Sequence, residues 1–217
     1  MKNYAIILAG GIGVRMQNTT PKCFIKLSNG KTILEQTISI FDAIDEIDEL
    51  IVVGDKNYYD VKTLKSVVVV EPGQTRGQSI INAVNAIRDI DANLVIHDGA
   101  RPFVSQDVVC KGLAGLREFD IVKTVEYPDK DILLINGLGT LNRTEYFFMS
   151  SPDFIKLSLF RKLNLDVLKK LSCVSQCAIK CFPDIKMSMV ISNKENKKLT
   201  YPVDLLVADN YVESNAL

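Results

Sequence analysis

The sequence lacks net charge, a long apolar run and any paired-cysteine motif, and each absence removes a class of function. Its 217 residues balance 26 basic against 26 acidic side chains. A general nucleic-acid or membrane-surface binder would need a basic field that this chain does not have, although local basic pockets remain open. No stretch approaches the roughly 20 apolar residues of a membrane span. The first apolar run stops at Ala9-Gly10-Gly11 without a secretory pattern. A soluble, cytoplasmic protein is expected, with neither nucleic acid nor membrane as partner. Five cysteines, an odd number with no Cys-x-x-Cys, exclude a disulfide framework. Cys173, Cys177 and Cys181 fall at i, i+4 and i+8, a spacing that could gather soft-metal ligands on one helix face. Zinc needs a fourth ligand at matching spacing, and His97 is the one histidine, so buried small apolar side chains are the preferred reading. No internal repeat, low-complexity linker or second-domain boundary is visible, and one domain over 1–217 is expected.

What is present is an alternation of Ile/Val-rich runs with helix-like stretches, the signature of βαβ units and a mostly parallel sheet in the α/β class. Strands are expected at Tyr4–Leu8, Leu50–Val53, Val67–Val70, Leu94–Ile96 and Ile121–Val125. Their unbroken apolar character fits a sheet covered on both faces. Ile33, Leu34, Thr37, Ile38, Phe41 and Ile44 repeat at helical spacing, as do Ile80, Ala83, Val84 and Ile87. From Glu126 to about Arg143, within a segment of about 126–145, turn residues separate short apolar pairs, which suggests a projecting hairpin. A hairpin whose apolar residues lack partners in its own chain invites a second subunit, so a homodimer is expected. Helical spacing returns at Ser151–Leu159 and Asp166–Leu171, followed by a strand near Met187–Val190, a lysine-rich turn and a last helix after Pro202.

The first strand empties into "LAGGIGVRM" followed by Pro21-Lys22. The dinucleotide fingerprint fails because its third glycine position is Met16, and no Gly-Lys-Ser/Thr of a phosphate loop occurs. What remains is a strand followed by Gly10, Gly11 and Gly13, whose bare backbone can approach phosphates, with Arg15 and Lys22 to neutralise them. That describes a nucleoside triphosphate site; a tight surface turn with two solvated cations is the alternative. "VIHDGARPF" follows another apolar strand and belongs on the same sheet edge, where Asp98 could hold magnesium beside a triphosphate. Arg101 could pair with Asp98 or with a phosphate. His97 is not assigned as a base, because a phosphate monoester is already ionised at neutral pH. In "NKKLTYPVD", a lysine ahead of a proline-started helix could reach the same edge.

These residues resemble a known family. "LAGGIGVRM" with Pro21-Lys22, "EPGQTRGQSIINA", "IHDGARPF" and "NKKLTYPVD" stand in the order and spacing of cytidylyltransferases acting on polyol phosphates, those for 2-C-methyl-D-erythritol 4-phosphate and ribitol 5-phosphate, from Tyr4 to about Val212. The resemblance implies a Rossmann-like nucleotidyltransferase fold with a projecting β-arm that forms a homodimer, CTP as co-substrate, Mg2+ as cofactor and pyrophosphate as second product. It places Arg15, Lys22 and Lys198 in catalysis, and Ala9, Gly10, Gly11, Gly13, Gly73, Arg76, Ser79 and Arg101 around the nucleotide. Asp98 matches the magnesium-associated aspartate. Arg143, reaching across the dimer, and Ser151 match residues that hold the polyol phosphate. Departures from the family pattern gather on the acceptor side: Cys23 follows Lys22, the arm reads Asp131-Ile132-Leu133-Leu134, Asp153 follows Ser151-Pro152, and Ser175-Gln176-Cys177-Ala178 replaces an acidic stretch. The acceptor stays open between isoprenoid-precursor and surface-polysaccharide chemistry. A catalytically weak CTP-binding regulator is the alternative; a glycosyltransferase would need an Asp-x-Asp after a strand, and only "DKD" on the arm offers one.

Overall fold

The computed structural model describes residues 1–56, 61–133, 139–171 and 173–215. The chain forms β1 (Lys2–Leu8), α1 (Ile33–Asp42), β2 (Glu49–Val53), β3 (Ser66–Val70), α2 (Arg76–Asn85), β4 (Ala92–Asp98), α3 (Gln106–Gly115) and β5 (Ile121–Glu126). Two short strands, β6 (Ile132–Leu133) and β7 (Thr140–Leu141), precede β8 (Phe148–Lys156), α4 (Leu157–Phe160), α5 (Leu165–Leu171), α6 (Val174–Cys181), β9 (Met187–Ile191) and α7 (Pro202–Ser214). Among the described residues one sheet runs in the order β3-β2-β1-β4-β8-β5-β9. It is parallel except for β8, which lies antiparallel between β4 and β5.

Both faces of this sheet are buried at its inner strands β2, β1, β4, β8 and β5, which is why these read as continuous apolar runs, while the edge strands β3 and β9 stay partly exposed. Tyr4 and Ile6 of β1 join Leu94 and Ile96 of β4 on the face covered by α2, α5 and α6, through Ile80, Ala83, Leu168, Val174 and Cys177. Ala5, Ile7 and Val95 point the other way, onto Leu34, Ile38 and Phe41 of α1 and Val108, Val109 and Leu113 of α3. A capping box in which Thr32 and Glu35 satisfy each other's backbone N–H groups starts α1. A third cluster of Met16, Leu27, Ile33, Phe103, Leu199, Ala208 and Val212 ties the loop after β1 to α7. The chain leaves β1 toward β2 on one side and returns to β4 on the other. The ends of β1 and β4 therefore form the switch-point crevice where open α/β sheets bind ligands.

One expectation fails. Ser151–Leu159 is not a helix: residues up to Lys156 belong to β8, and α4 occupies only Leu157–Phe160. From Ser150 to Ile155 every residue of β8 is buried, so both faces demand apolar or paired side chains and no helical period can be told from the run. The register with β5 jumps from Lys123↔Asp153 to Val125↔Met149. That irregularity accommodates Pro152, which has no N–H to give a ladder. The hairpin expectation holds in part: β6 and β7 pair as Ile132↔Leu141 and Leu133↔Thr140, while Leu134 and the rest of 134–138 lie outside the described residues. Tyr127, Leu133 and Met149 near this arm, and Met187, Met189 and Ile191 on the edge strand β9, are exposed. Among the described residues, no helix is long and apolar enough to cross a membrane.

Candidate active site

Loops from the carboxyl ends of β1, β3 and β4 and the segment before α7 enclose a cleft of about 260 Å³. Its walls include Gly10, Gly11, Lys22, Gly73, Arg76, Ser79, Asp98 and Lys198. The two glycines differ in what they make possible. A Cβ on Gly10 would lie 2.3 Å from Pro72 Cβ, so glycine there lets two loops touch, whereas a Cβ on Gly11 would meet nothing within 4 Å and would occupy the cleft. Gly13 takes the left-handed region (φ +73°), and its Cβ would stand 2.5 Å from Lys22 Cβ, so it makes room for the lysine stem. Ala9 is buried, and its N–H donates to the Val53 carbonyl at 2.7 Å. Neither Ala9 nor Gly13 lines the cleft. On the β3 side, Gly73 N–H donates to Ser79 Oγ at 3.0 Å. Thr75 caps α2, whose N-terminus faces the cleft with its positive dipole end.

Asp98 is the centre of the charge arrangement. Lys198 Nζ lies 2.8 Å from Oδ2, Arg76 Nε 3.1 Å from Oδ1 and Arg101 Nε 3.9 Å from Oδ2. Burial alone would raise the Asp98 carboxyl, but Arg76, Lys198 and Arg101 hold it well below the usual carboxylate range. Lys22 is buried at 8% exposure; desolvation, with Lys198 and Arg15 adding to it, pushes its ammonium below the usual lysine value. Burial pushes the neighbouring Cys23 thiol up to about 11, which leaves it protonated and unreactive at neutral pH. A cleft holding the desolvated Lys22 and the exposed ammonium of Lys198 at one rim and open backbone at the other is suited to a polyanion.

Several residues to which the sequence reading gave no such task hold this centre in place. His97 is wholly buried: its Nε2 lies 3.0 Å from the Arg101 carbonyl and its Nδ1 2.9 Å from Ser151 Oγ. A carbonyl only accepts, so Nε2 carries the proton and Nδ1 accepts from the Ser151 hydroxyl. That hydroxyl in turn accepts the Asp98 N–H at 3.0 Å. Burial pulls the His97 pKa down to about 4, so it clamps the turn as a neutral ring. The Lys198 segment is pinned to the same turn: Arg101 Nη1 donates to the Asn196 carbonyl at 2.7 Å and Leu199 N–H to the Ala100 carbonyl at 2.9 Å. Asn196 Nδ2 donates to the Ser151 carbonyl at 2.7 Å, and Thr200 and Tyr201 N–H both donate to Asp204 at the start of α7.

The structure thus gathers Gly10, Gly11, Lys22, Gly73, Arg76, Ser79, Asp98 and Lys198 at one cleft. Arg101 and Ser151 sit behind Asp98 as its supports. Arg15 is exposed beyond the rim, its guanidinium 5.6 Å from the Tyr201 ring. Arg143 stands on the arm, held by Asp131 at 2.8 Å. Among the described residues no group of three or more His, Cys, Asp or Glu could hold a metal ion. The helical thiols reduce to Cys177 and Cys181, 3.9 Å apart, with Cys177 buried in the core.

Comparison with known proteins gives this arrangement a family. The sequence model described as IspD: 2-C-methyl-D-erythritol 4-phosphate cytidylyltransferase matches residues 4–214. The chain is 32% identical over 229 residues to the 2-C-methyl-D-erythritol 4-phosphate cytidylyltransferase of Clostridium perfringens (strain SM101 / Type A), covering 98% of this chain and 99% of that one. It is 30% identical over 236 residues to the bifunctional ribulose 5-phosphate reductase/CDP-ribitol pyrophosphorylase Bcs1 of Haemophilus influenzae. That match takes in 99% of this chain, which spans about half (49%) of the longer relative. Among solved structures, the 2-C-methyl-D-erythritol 4-phosphate cytidylyltransferase of Francisella tularensis superposes with a TM-score of 0.79 at 28% identity, over 97% of this chain and 99% of that one. The 4-diphosphocytidyl-2C-methyl-D-erythritol synthase of Anaerococcus prevotii shares the fold with a TM-score of 0.80 at 24% identity, over 98% and 96%. The chain belongs to the IspD family of cytidylyltransferases.

Proposed function

We propose that the protein transfers CMP from CTP to a polyol phosphate, 2-C-methyl-D-erythritol 4-phosphate or a related sugar-alcohol phosphate such as ribitol 5-phosphate, and releases pyrophosphate. The observation that carries this reading is the pairing of Lys198 with Asp98 at 2.8 Å on the side of the cleft where Lys22 is buried, with open backbone at Gly11. A triphosphate entering there meets N–H donors on one side and ammonium groups on the other. An acceptor phosphate oxygen attacks the α-phosphorus in line, charge collects on the non-bridging oxygens, and pyrophosphate leaves. Positioning and fixed cations serve such a step; no proton has to be removed from the acceptor, which agrees with a neutral, buried His97. Lys22 and Lys198 are assigned to the α-phosphate and Arg15, at the rim, to the outer phosphates.

Asp98 supplies two hard oxygens, and among the described residues no group of three or more His, Cys, Asp or Glu surrounds it, which suits a magnesium ion that arrives shared with the triphosphate better than a protein cage. Bound there, the ion would neutralise charge on the phosphates; Asp98 would hold it, and Lys198 would turn from Asp98 to the nucleotide. The exposed apolar residues of the arm and of β9 support a homodimer, in which Arg143 would meet the acceptor phosphate of the other subunit. The test incubates the protein with magnesium, each of four NTPs and methylerythritol, ribitol and glycerol phosphates, and follows pyrophosphate. Release that needs CTP and one acceptor supports the reading. Silence with measurable CTP binding supports a regulator instead.

A further inference from the structure

The sheet face under α2 and α6 carries two carboxylates close to the cleft, and the reaction described above uses one of them. Asp98 ends β4, and Ile96, two residues earlier on the same face, pairs across the sheet with Asp153 of β8. Two residues are one repeat of side-chain alternation, so Asp98 and Asp153 occupy adjacent places on that face. Asp153 is 1% exposed; its Oδ1 is ion-paired at 2.8 Å with Lys123, its partner in the β5 register, and accepts the Ser175 hydroxyl at 2.5 Å. Its Oδ2 has no hydrogen-bond partner among the described residues. Arg76, the first residue of α2, lies over the same face with Nε on Asp98 at 3.1 Å, and the charges of both Asp98 and Asp153 act on it. Lys123 pairs with Asp153, and Arg76 and Lys198 pair with Asp98, so charge of alternating sign leads from the interior of the sheet to the cleft, with Arg76 within the electrostatic reach of both carboxylates.

A buried ion pair is poor evidence of a stabilising role, since an apolar pair of similar volume does as well or better. The position of this pair gives it another use. We propose that Asp153 is a positioning residue acting through Arg76: its charge shares the guanidinium with Asp98 and keeps Arg76 from giving its charge to a triphosphate in the cleft. The proposal rests on the CTP reading above. With Asp153 charged, Arg76 is a frame for Asp98. With Asp153 neutral, Arg76 leans toward the phosphates, CTP is held more tightly in the ground state, and Asp98 is held less well. Tighter ground-state binding with slower turnover is a split that a loosened fold does not produce.

Two variants remove the charge: Asp153→Asn, which keeps an acceptor for Lys123, and Lys123→Met/Asp153→Asn, which leaves no buried charge unpaired. Each is compared with the same change in an Arg76→Met background. The measurements are the thermal midpoint, the CTP dissociation constant by calorimetry without divalent metal, and pyrophosphate release at saturating CTP. The expected result is a CTP dissociation constant lowered about threefold, with turnover lowered about tenfold and the midpoint nearly kept in at least the double variant. In the Arg76→Met background the same change moves CTP affinity less than twofold. Affinity that is unchanged or weakened, or that moves equally in both backgrounds, overturns the proposal. So does loss of cooperative unfolding in both variants, which would assign the pair to the fold. If the unsubstituted protein binds CTP but releases no pyrophosphate, the transferase reading fails alone and the affinity comparison still decides; if it binds no CTP, both fail.

Discussion

Replacing Lys198 with alanine separates catalysis from folding more cleanly than any other change in the cleft. Its ammonium lies 2.8 Å from Asp98, but the lysine side chain is 39% exposed, so water screens the pair. Exposed pairs contribute about 0–1 kcal/mol, and Asp98 keeps Arg76 at 3.1 Å and Arg101 at 3.9 Å once Lys198 is gone, so no buried charge is orphaned. The expected loss of stability is below about 1 kcal/mol, roughly 2–4 °C in midpoint for a chain of this size. The transition state is affected far more. Removing one fixed charge-stabilising donor from such a site costs about 2.7–4 kcal/mol, or roughly a hundredfold to a thousandfold in turnover. Pyrophosphate release at saturating CTP and acceptor, with a melting curve on the same sample, reads both quantities. Turnover within threefold of the unsubstituted protein, or a midpoint loss of about 10 °C or more, would refute the reasoning.

Three further outcomes follow from the same geometry. Gly11→Ala should keep the melting temperature and weaken CTP binding at least tenfold, because its methyl group enters the cleft; Gly10→Ala, 2.3 Å from Pro72, should cost about 1–3 kcal/mol of stability in a denaturant titration. His97, ordinarily near 6.5, titrates near 4 in the fold. The neutral ring is therefore the folded form, stability is full above about pH 6.5, and it falls as pH drops toward 4 by about 3 kcal/mol at roughly 1.4 kcal/mol per pH unit; in metal-free buffer His97→Gln should lose less over that window, and equal slopes would contradict the clamp. Substituting Met149 and Met189, each about half exposed, with serine should shift the protein from dimer to monomer in light scattering at micromolar concentration, and a monomer before substitution would remove the dimer from the account.

The strands β1 to β5 were legible because a sheet covered on both faces writes itself as apolar runs bounded by turn residues. The same property hid β8, whose buried stretch from Ser150 to Ile155 offers no alternation and carries a proline. Lys22, Asp98 and Lys198 were legible as residue types at strand ends. Their supports were not: His97 reaches Ser151 across 54 positions and Asn196 reaches it across 45, and nothing local marks such partners. Gly13 read as a third phosphate-facing glycine, but its role appears only when the loop curls and sets it against the stem of Lys22. Arg101 posed the opposite problem. Its two candidate roles, phosphate ligand or structural brace, use the same charge, and its contacts with the Asn196 carbonyl at 2.7 Å and with Glu126 at 3.3 Å, which brace the turn, appear only in the fold.

In the proposed reaction this cleft joins CMP to a phosphate rather than to water. Phosphorus NMR of a reaction containing CTP, magnesium and the acceptor that supports pyrophosphate release tests it most directly. The account predicts two coupled diphosphate resonances of a cytidine 5'-diphosphate ester growing in step with pyrophosphate. CMP and pyrophosphate without the ester, or an ester formed equally well from the other nucleoside triphosphates, would contradict it.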